Sequence, residues 1–115
     1  MKNSPEAIPL LKGTLDLLCL KALSFGRTHG YGVAAWLETS SLGVLDVEDS
    51  AIYQALHRLE GRRLVQAEWG ITENNRQARY YRLTAKGRKR LRAEAETWTR
   101  YTHTVSAVLA LDPGA

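Results

Sequence analysis

The fold of this chain is decided by residues 49–84, which read DSAIYQALHRLEGRRLVQAEWGITENNRQARYYRLT. In the first third of the stretch, apolar side chains recur three and four residues apart, at Ile52, Ala55, Leu56 and Leu59. This spacing puts them on one face of a helix, which Asp49 or Ser50 can cap and Gly61 ends. The stretch therefore begins with a helix that has one buried side and one exposed side.

After this helix the apolar spacing changes from helical to alternating. Two runs alternate between apolar and polar residues, one from Val65 to Trp69 and the other from Tyr80 to Leu83. A period of two is typical of a strand that is buried on one face. The polar segment 70–77 between the runs, with two consecutive asparagines, predicts a turn. A β-hairpin therefore follows the helix directly.

Three more helices are predicted around this stretch. The first runs from Thr14, its cap, to about Phe25, and the second from about Tyr31 to Thr39. The last is capped by Thr84 and continues to about Ala110. Residues 1–11 contain two prolines and are predicted to be a loose tail.

The predicted order is three helices, a hairpin and a long helix, a mainly α fold with a small β-hairpin (α+β class). Three helices followed by a hairpin are the plan of a winged helix-turn-helix domain, whose third helix enters the major groove of DNA. We divide the chain into a winged-helix DNA-binding domain, 10–84, and a C-terminal dimerisation helix, 85–110.

The residues predicted to contact DNA lie on the third helix and at the hairpin tip. On the helix they are Ser50, Ala51, Tyr53, Gln54, His57, Arg58 and Arg62. On the hairpin they are Asn75, Arg76 and Arg79, next to Asn74 and Gln77. Polar groups such as these can donate hydrogen bonds to bases, and arginine can reach a phosphate or a guanine edge. An ordinary solvated helix would carry similar residues, so the cationic hairpin beside it is what favours DNA.

Charge is distributed unevenly along the chain. The net charge is +4, with −2 in the first fifty residues and +6 in the remainder. Residues 58–92 alone hold eleven basic residues against three glutamates. Such a concentration predicts a surface for a polyanion, although a solvated helix face would also account for it.

Three segments resemble the PadR family of transcriptional regulators. Residues 11–18 (LKGTLDLL) together with 29–32 (HGYG) are similar to the start of its members. Residues 52–60 (IYQALHRLE) are similar to its recognition helix, and 80–84 (YYRLT) with Gly87 to its second wing strand and last helix. The resemblance covers about residues 10–110. It implies a homodimeric regulator, usually a repressor, that binds palindromic operator DNA.

The last helix carries a stripe of apolar residues that we expect to face a partner. At ~1.5 Å per residue it reaches on the order of 39 Å, too far to pack wholly against a small domain. The stripe consists of Leu91, Ala95, Trp98, Tyr101, Val105, Val108 and Leu109. Spacings of three and four are typical of a coiled-coil seam, so a homodimer is predicted.

Trp98 is in addition a candidate effector-binding residue. Some drug-responsive members of the resembling family stack flat aromatic ligands on a tryptophan at a similar place. The simpler interpretation is that Trp98 fills the dimer seam. Trp36 and Trp69 are predicted to be packing residues.

Several classes of function are disfavoured. His29, His57 and His103 lie in separate elements without metal-ligand spacing, and no nucleophile or phosphate-loop motif is present, so no enzyme, metal or cofactor is predicted. The single cysteine, Cys19, excludes an internal disulfide and predicts a core thiol.

No apolar run is long enough for a membrane span and no signal peptide precedes the domain, so we expect a cytoplasmic protein with no membrane partner. The alternative function is a protein-interaction module that uses the basic face and the long helix.

Overall fold

The structure, a computed structural model, describes residues 8–9 and 13–114. Within these residues the chain forms four helices: α1 (Thr14–Leu23), α2 (Gly30–Ser40), α3 (Asp49–Gly61) and α4 (Ala85–Leu109). It also forms five strands: β1 (Ile8–Pro9), β2 (Thr28–His29), β3 (Leu45–Asp46), β4 (Val65–Ile71) and β5 (Gln77–Leu83). The predicted order of three helices, hairpin and long helix is confirmed, and so is the α+β winged-helix fold.

Two short pairings were missed by the sequence analysis. β2 adds a third, antiparallel strand to the hairpin, with Thr28 opposite Tyr81. β1 pairs in parallel with β3, so the prediction of a loose tail is wrong for Ile8 and Pro9. The rest of the predicted tail, and residues 10–12 at the start of the predicted domain, lie outside the described residues. Strands of two residues carry no periodic pattern from which they could be predicted.

The core lies between α1, α2, α3 and the inner face of the hairpin. The four apolar residues of the α3 stripe are all buried, as predicted, and so are Val65, Tyr81 and Leu83 of the hairpin. Trp36 packs against this core, which confirms its predicted role. The hairpin register runs from Val65 opposite Leu83 to Ile71 opposite Gln77, so the sheet extends well beyond the buried end. This extension is the wing.

Helix starts were predicted with mixed success. Thr84 caps α4 as predicted, since its Oγ1 accepts a hydrogen bond from the Gly87 N–H at 2.9 Å. Thr14 does not cap α1. The N-cap is Gly13, and Thr14 Oγ1 is buried without a partner among the described residues. For α3 the cap is Glu48 rather than Asp49 or Ser50, because the Glu48 carbonyl already accepts from the N–H groups of residues 51 and 52.

Cys19 is completely buried on α1, as the sequence predicted. Burial, together with the nearby Asp16 carboxylate, raises the pKa of its thiol from the ordinary 9.0 to about 12. The thiol of the folded protein therefore stays protonated at neutral pH and should resist alkylation until the chain unfolds.

Cys19 should also make stability depend on alkaline pH. Because the thiolate forms more readily in the unfolded chain, its contribution to stability is complete below pH 9 and is lost as the pH rises toward 12. Urea unfolding between pH 8 and 11 would measure this loss, with Cys19→Ala as the control that lacks the titrating group. Rapid labelling of the native thiol at pH 8 would contradict the expectation.

Candidate nucleic-acid interface

The outermost line of α3 is formed by Ser50, Gln54 and His57. A helix turns by about 100° per residue, so these three positions share one side, directly opposite the buried stripe. All three are exposed, and their side chains bond to no other described residue. They are therefore free to contact an external ligand.

One flank of this line is formed by Tyr53. Its ring packs directly over Gly30 at the start of α2, where a Cβ atom would collide with the ring. The start of α2 is itself fixed by His29, whose Nδ1 accepts a hydrogen bond from the Gly32 N–H at 3.0 Å. Tyr53 is thus supported on one side by the fold, while the residue as a whole remains half-exposed.

The other flank is formed by Ala51, Arg58 and Arg62. Ala51 is half-buried, and both arginines are exposed. Arg58 donates two hydrogen bonds to the carboxylate of Asp16 on α1, at 2.6 and 3.3 Å. These bonds raise the pKa of the Arg58 guanidinium above its usual range. Sequence reasoning missed this pair, because the partners are 42 residues apart.

The hairpin tip is a closed turn. The N–H of Thr72 donates to the Arg76 carbonyl at 2.8 Å, and the N–H of Asn75 donates to the Thr72 carbonyl at 2.9 Å. Asn75 has a φ of 60°, a left-handed conformation that asparagine tolerates better than most residues. The side chains of Asn75 and Arg76 are exposed at the end of the wing.

Arg79 connects the wing to α3. Its Nη2 lies 2.7 Å from Glu60 Oε2, and its guanidinium lies over the Trp69 ring, 5.7 Å from the centroid. Trp69 is 65% exposed, so the prediction that it is a packing residue is wrong. The alternation of β4 places Trp69 on the inner face of the sheet, but at Trp69 the strand already extends beyond the core. Tyr53, His57, Arg79 and Tyr81 line a cleft of about 520 Å³ between α3 and the wing.

The far half of α4 is exposed. Leu91 packs against the core of its own domain, whereas the predicted stripe beyond it is open to solvent. Trp98 and Val105 are its least exposed large apolar residues, at 37% and 38%. Ala95, Tyr101, Val108 and Leu109 are exposed beside them. The helix therefore carries an unpaired apolar stripe.

Trp98 also lines a cleft of about 310 Å³ between α1 and α4. Its ring lies 6.4 Å from that of Tyr101, and Thr14, Leu17 and Glu94 also line the cleft.

In the part of the chain that the structure describes, no helix is long and apolar enough to cross a membrane. The same residues contain no group of three or more His, Cys, Asp or Glu side chains that could hold a metal ion.

The arrangement of α3 and the wing matches a known family. The family model of the transcriptional regulator PadR-like family matches residues 19–93, which span α3, the hairpin and the start of α4. The chain belongs to this family. PadR membership places it among transcriptional regulators that act by binding DNA.

Solved PadR structures share the fold. A PadR family transcriptional regulator from Eggerthella lenta is 27% identical, covers 88% of this chain and 86% of its own, and has a TM-score of 0.71. A PadR-like regulator from Bacillus cereus is 24% identical over 89% of this chain and 97% of its own, with a TM-score of 0.74. Among curated proteins, an uncharacterized protein of Lysinibacillus sphaericus is 21% identical over 89 residues, covering 77% of this chain and 82% of its own.

Proposed function

We propose that this protein is a sequence-specific regulator that binds a palindromic operator as a homodimer and represses transcription. The observation that carries the proposal is the line of exposed polar side chains on α3, Ser50, Gln54 and His57, which bond to no other described residue and lie beside a cationic wing. PadR membership supports the DNA-binding part of the proposal.

In this proposal α3 lies in the major groove. The amide of Gln54 can form two hydrogen bonds with an adenine, and His57 and Tyr53 can donate to base or phosphate acceptors. Ser50 and Ala51 are small, so the N-terminus of the helix can approach a phosphate closely. Arg62 supplies a positive charge at the other end of the helix.

The wing would contact the neighbouring minor groove through Asn75 and Arg76. The DNA strand between the two grooves would then pass the cleft between α3 and the wing. Arg79 lines this cleft and the Trp69 ring lies beside its guanidinium, so the first would offer charge and the second an apolar surface to the sugar–phosphate backbone. Trp69 is a residue of this surface that the sequence analysis had predicted to be a packing residue.

The homodimer would form through the exposed stripe of α4. A second copy supplies an identical stripe, and pairing them covers apolar side chains that a monomer leaves in water. Two α3 helices must lie about one DNA turn apart, ~34–36 Å, to read two half-sites. The family resemblance implies repression. A dimer bound over a promoter would repress by excluding polymerase.

Selection of bound duplexes from a random library would test the proposal. We expect a palindrome with half-site centres roughly 10 base pairs apart, and an affinity that falls steeply as salt rises. A protein-interaction module would show neither sequence enrichment nor this salt dependence. That outcome would favour the alternative in which the basic face binds an acidic protein.

Effector binding at Trp98 stays a prediction. The cleft beside it supports the idea, since a flat aromatic compound could insert between Trp98 and α1. Filling of the dimer seam by Trp98 accounts for its exposure equally well.

A further inference from the structure

Arg58 is held to another helix by a two-point contact. Its Nη2 donates to Asp16 Oδ1 at 2.6 Å, and its Nε donates to Asp16 Oδ2 at 3.3 Å. The two guanidinium nitrogens thus match the two carboxylate oxygens, the geometry in which an arginine–carboxylate pair is strongest and most directional. The pair joins α3 to α1 outside the apolar core.

The pair is important because the Asp16 side chain is largely buried. This side chain is only 16% exposed, against 47% for Arg58, and it lies on α1 one turn before the buried Cys19. Among the described residues, Arg58 supplies both hydrogen bonds that the Asp16 carboxylate accepts. If Arg58 turned toward DNA, a largely buried carboxylate would lose the one cation that it meets among the described residues, which is unfavourable.

The position of Arg58 on α3 agrees with this assignment. Arg58 follows Gln54 by one helical turn and is displaced from it by about 40° around the axis, toward α1. A rotation of α3 about its own axis would break the contact with Asp16 and would swing Gln54 and His57 by the same angle. The pair therefore fixes the direction in which the outer line of α3 points.

We propose that Arg58 is a positioning residue, which acts through Asp16 to set the orientation of α3 and does not itself bind a base or phosphate. The proposal rests on the proposed DNA-binding function. It reverses the expectation from the sequence, which assigned Arg58 to direct contact with DNA.

Asp16→Asn and Arg58→Ala together separate the two roles, because the roles predict different results for Asp16→Asn. Asp16→Asn removes the charge but keeps the size of the side chain. A positioning role predicts that Asp16→Asn and Arg58→Ala each weaken operator binding by roughly tenfold, and that the double variant is no weaker than either alone. Direct contact predicts that Asp16→Asn leaves affinity unchanged or increases it, since it frees a cation and removes a negative charge.

The salt dependence of affinity gives a second readout, which separates a positioning role from a direct phosphate contact. A lost phosphate contact lowers the slope of log K against log salt by about 0.9, whereas a lost positioning contact leaves the slope unchanged. Arg62→Ala is the matched control, because Arg62 lies one turn further along α3 and its side chain has no partner among the described residues. We expect a reduced slope for Arg62→Ala and an unchanged slope for Arg58→Ala.

Arg58→Lys keeps the charge but cannot form the two-point contact. Under the proposal it restores little of the lost affinity, and under direct phosphate contact it restores most of it. A reduced slope for Arg58→Ala, or full rescue by lysine, would overturn the positioning role while leaving the DNA-binding function intact. A wild-type protein that binds no duplex would overturn both.

Discussion

Replacing Trp98 with aspartate should convert the proposed homodimer into a monomer at micromolar concentration. Trp98 lies near the middle of the exposed α4 stripe, one of its two least exposed large apolar side chains. In the paired state an aspartate at this position would be an unpaired charge inside an apolar interface, in place of a large aromatic contact. Buried aromatic residues at the centre of an interface typically contribute about 2–4 kcal/mol, so we expect the dimer to weaken by roughly 30- to 1,000-fold.

Sedimentation of the variant, compared with wild type, measures this effect directly. Operator affinity should fall with it, since a monomer reads only one half-site. Thr99→Asp is the matched control, because it adds the same charge at the next residue, which points about 100° away around the helix. If Trp98→Asp sediments as the wild-type dimer does, the stripe is not the dimer interface.

Replacing Gly87 with alanine should destabilise the fold more than its small size suggests. Gly87 is buried at the start of α4, and a Cβ atom there would collide with the backbone carbonyl of Leu64. That carbonyl cannot move freely, because it accepts hydrogen bonds from the N–H and the hydroxyl of Thr84, both at 3.1 Å. The start of α4 must therefore shift away from the loop that leads into the hairpin. Overpacking of this kind costs about 1–3 kcal/mol.

Thermal unfolding followed by circular dichroism would show this cost as a fall in Tm of roughly 4–8 °C per kcal/mol. Gly61→Ala is the control. It changes the last residue of α3, where a Cβ atom meets open space, and alanine there should be neutral or stabilise the helix by up to about 1 kcal/mol. Equal stability of the two variants would mean that the contact between α4 and Leu64 is looser than the structure indicates.

Much of the fold could be predicted from local patterns. The α3 stripe, the alternation in the hairpin and the Thr84 cap each depend on residues close together in the chain, and each is confirmed. The start of α3 was missed because its N-cap residue, Glu48, forms no side-chain capping hydrogen bond. The two-residue strands were missed because they are held by partners far along the chain.

The candidate interface also has features that the sequence could predict and features that it could not. By itself the sequence determined which side of α3 is exposed, since helical periodicity needs no tertiary information, and it pointed to a cationic wing next to that side. Only the tertiary structure decided which carboxylate partners those arginines meet. Arg58 meets Asp16 and Arg79 meets Glu60 because the packing angles of α1, α3 and the wing bring residues 42 and 19 positions apart within bonding distance. Alternation places Trp69 on the inner face of β4, but it is exposed because β4 extends beyond the helices that would cover it. The core covers only those strand positions that lie alongside the neighbouring helices. Where those helices end relative to the strand cannot be predicted from a local sequence pattern.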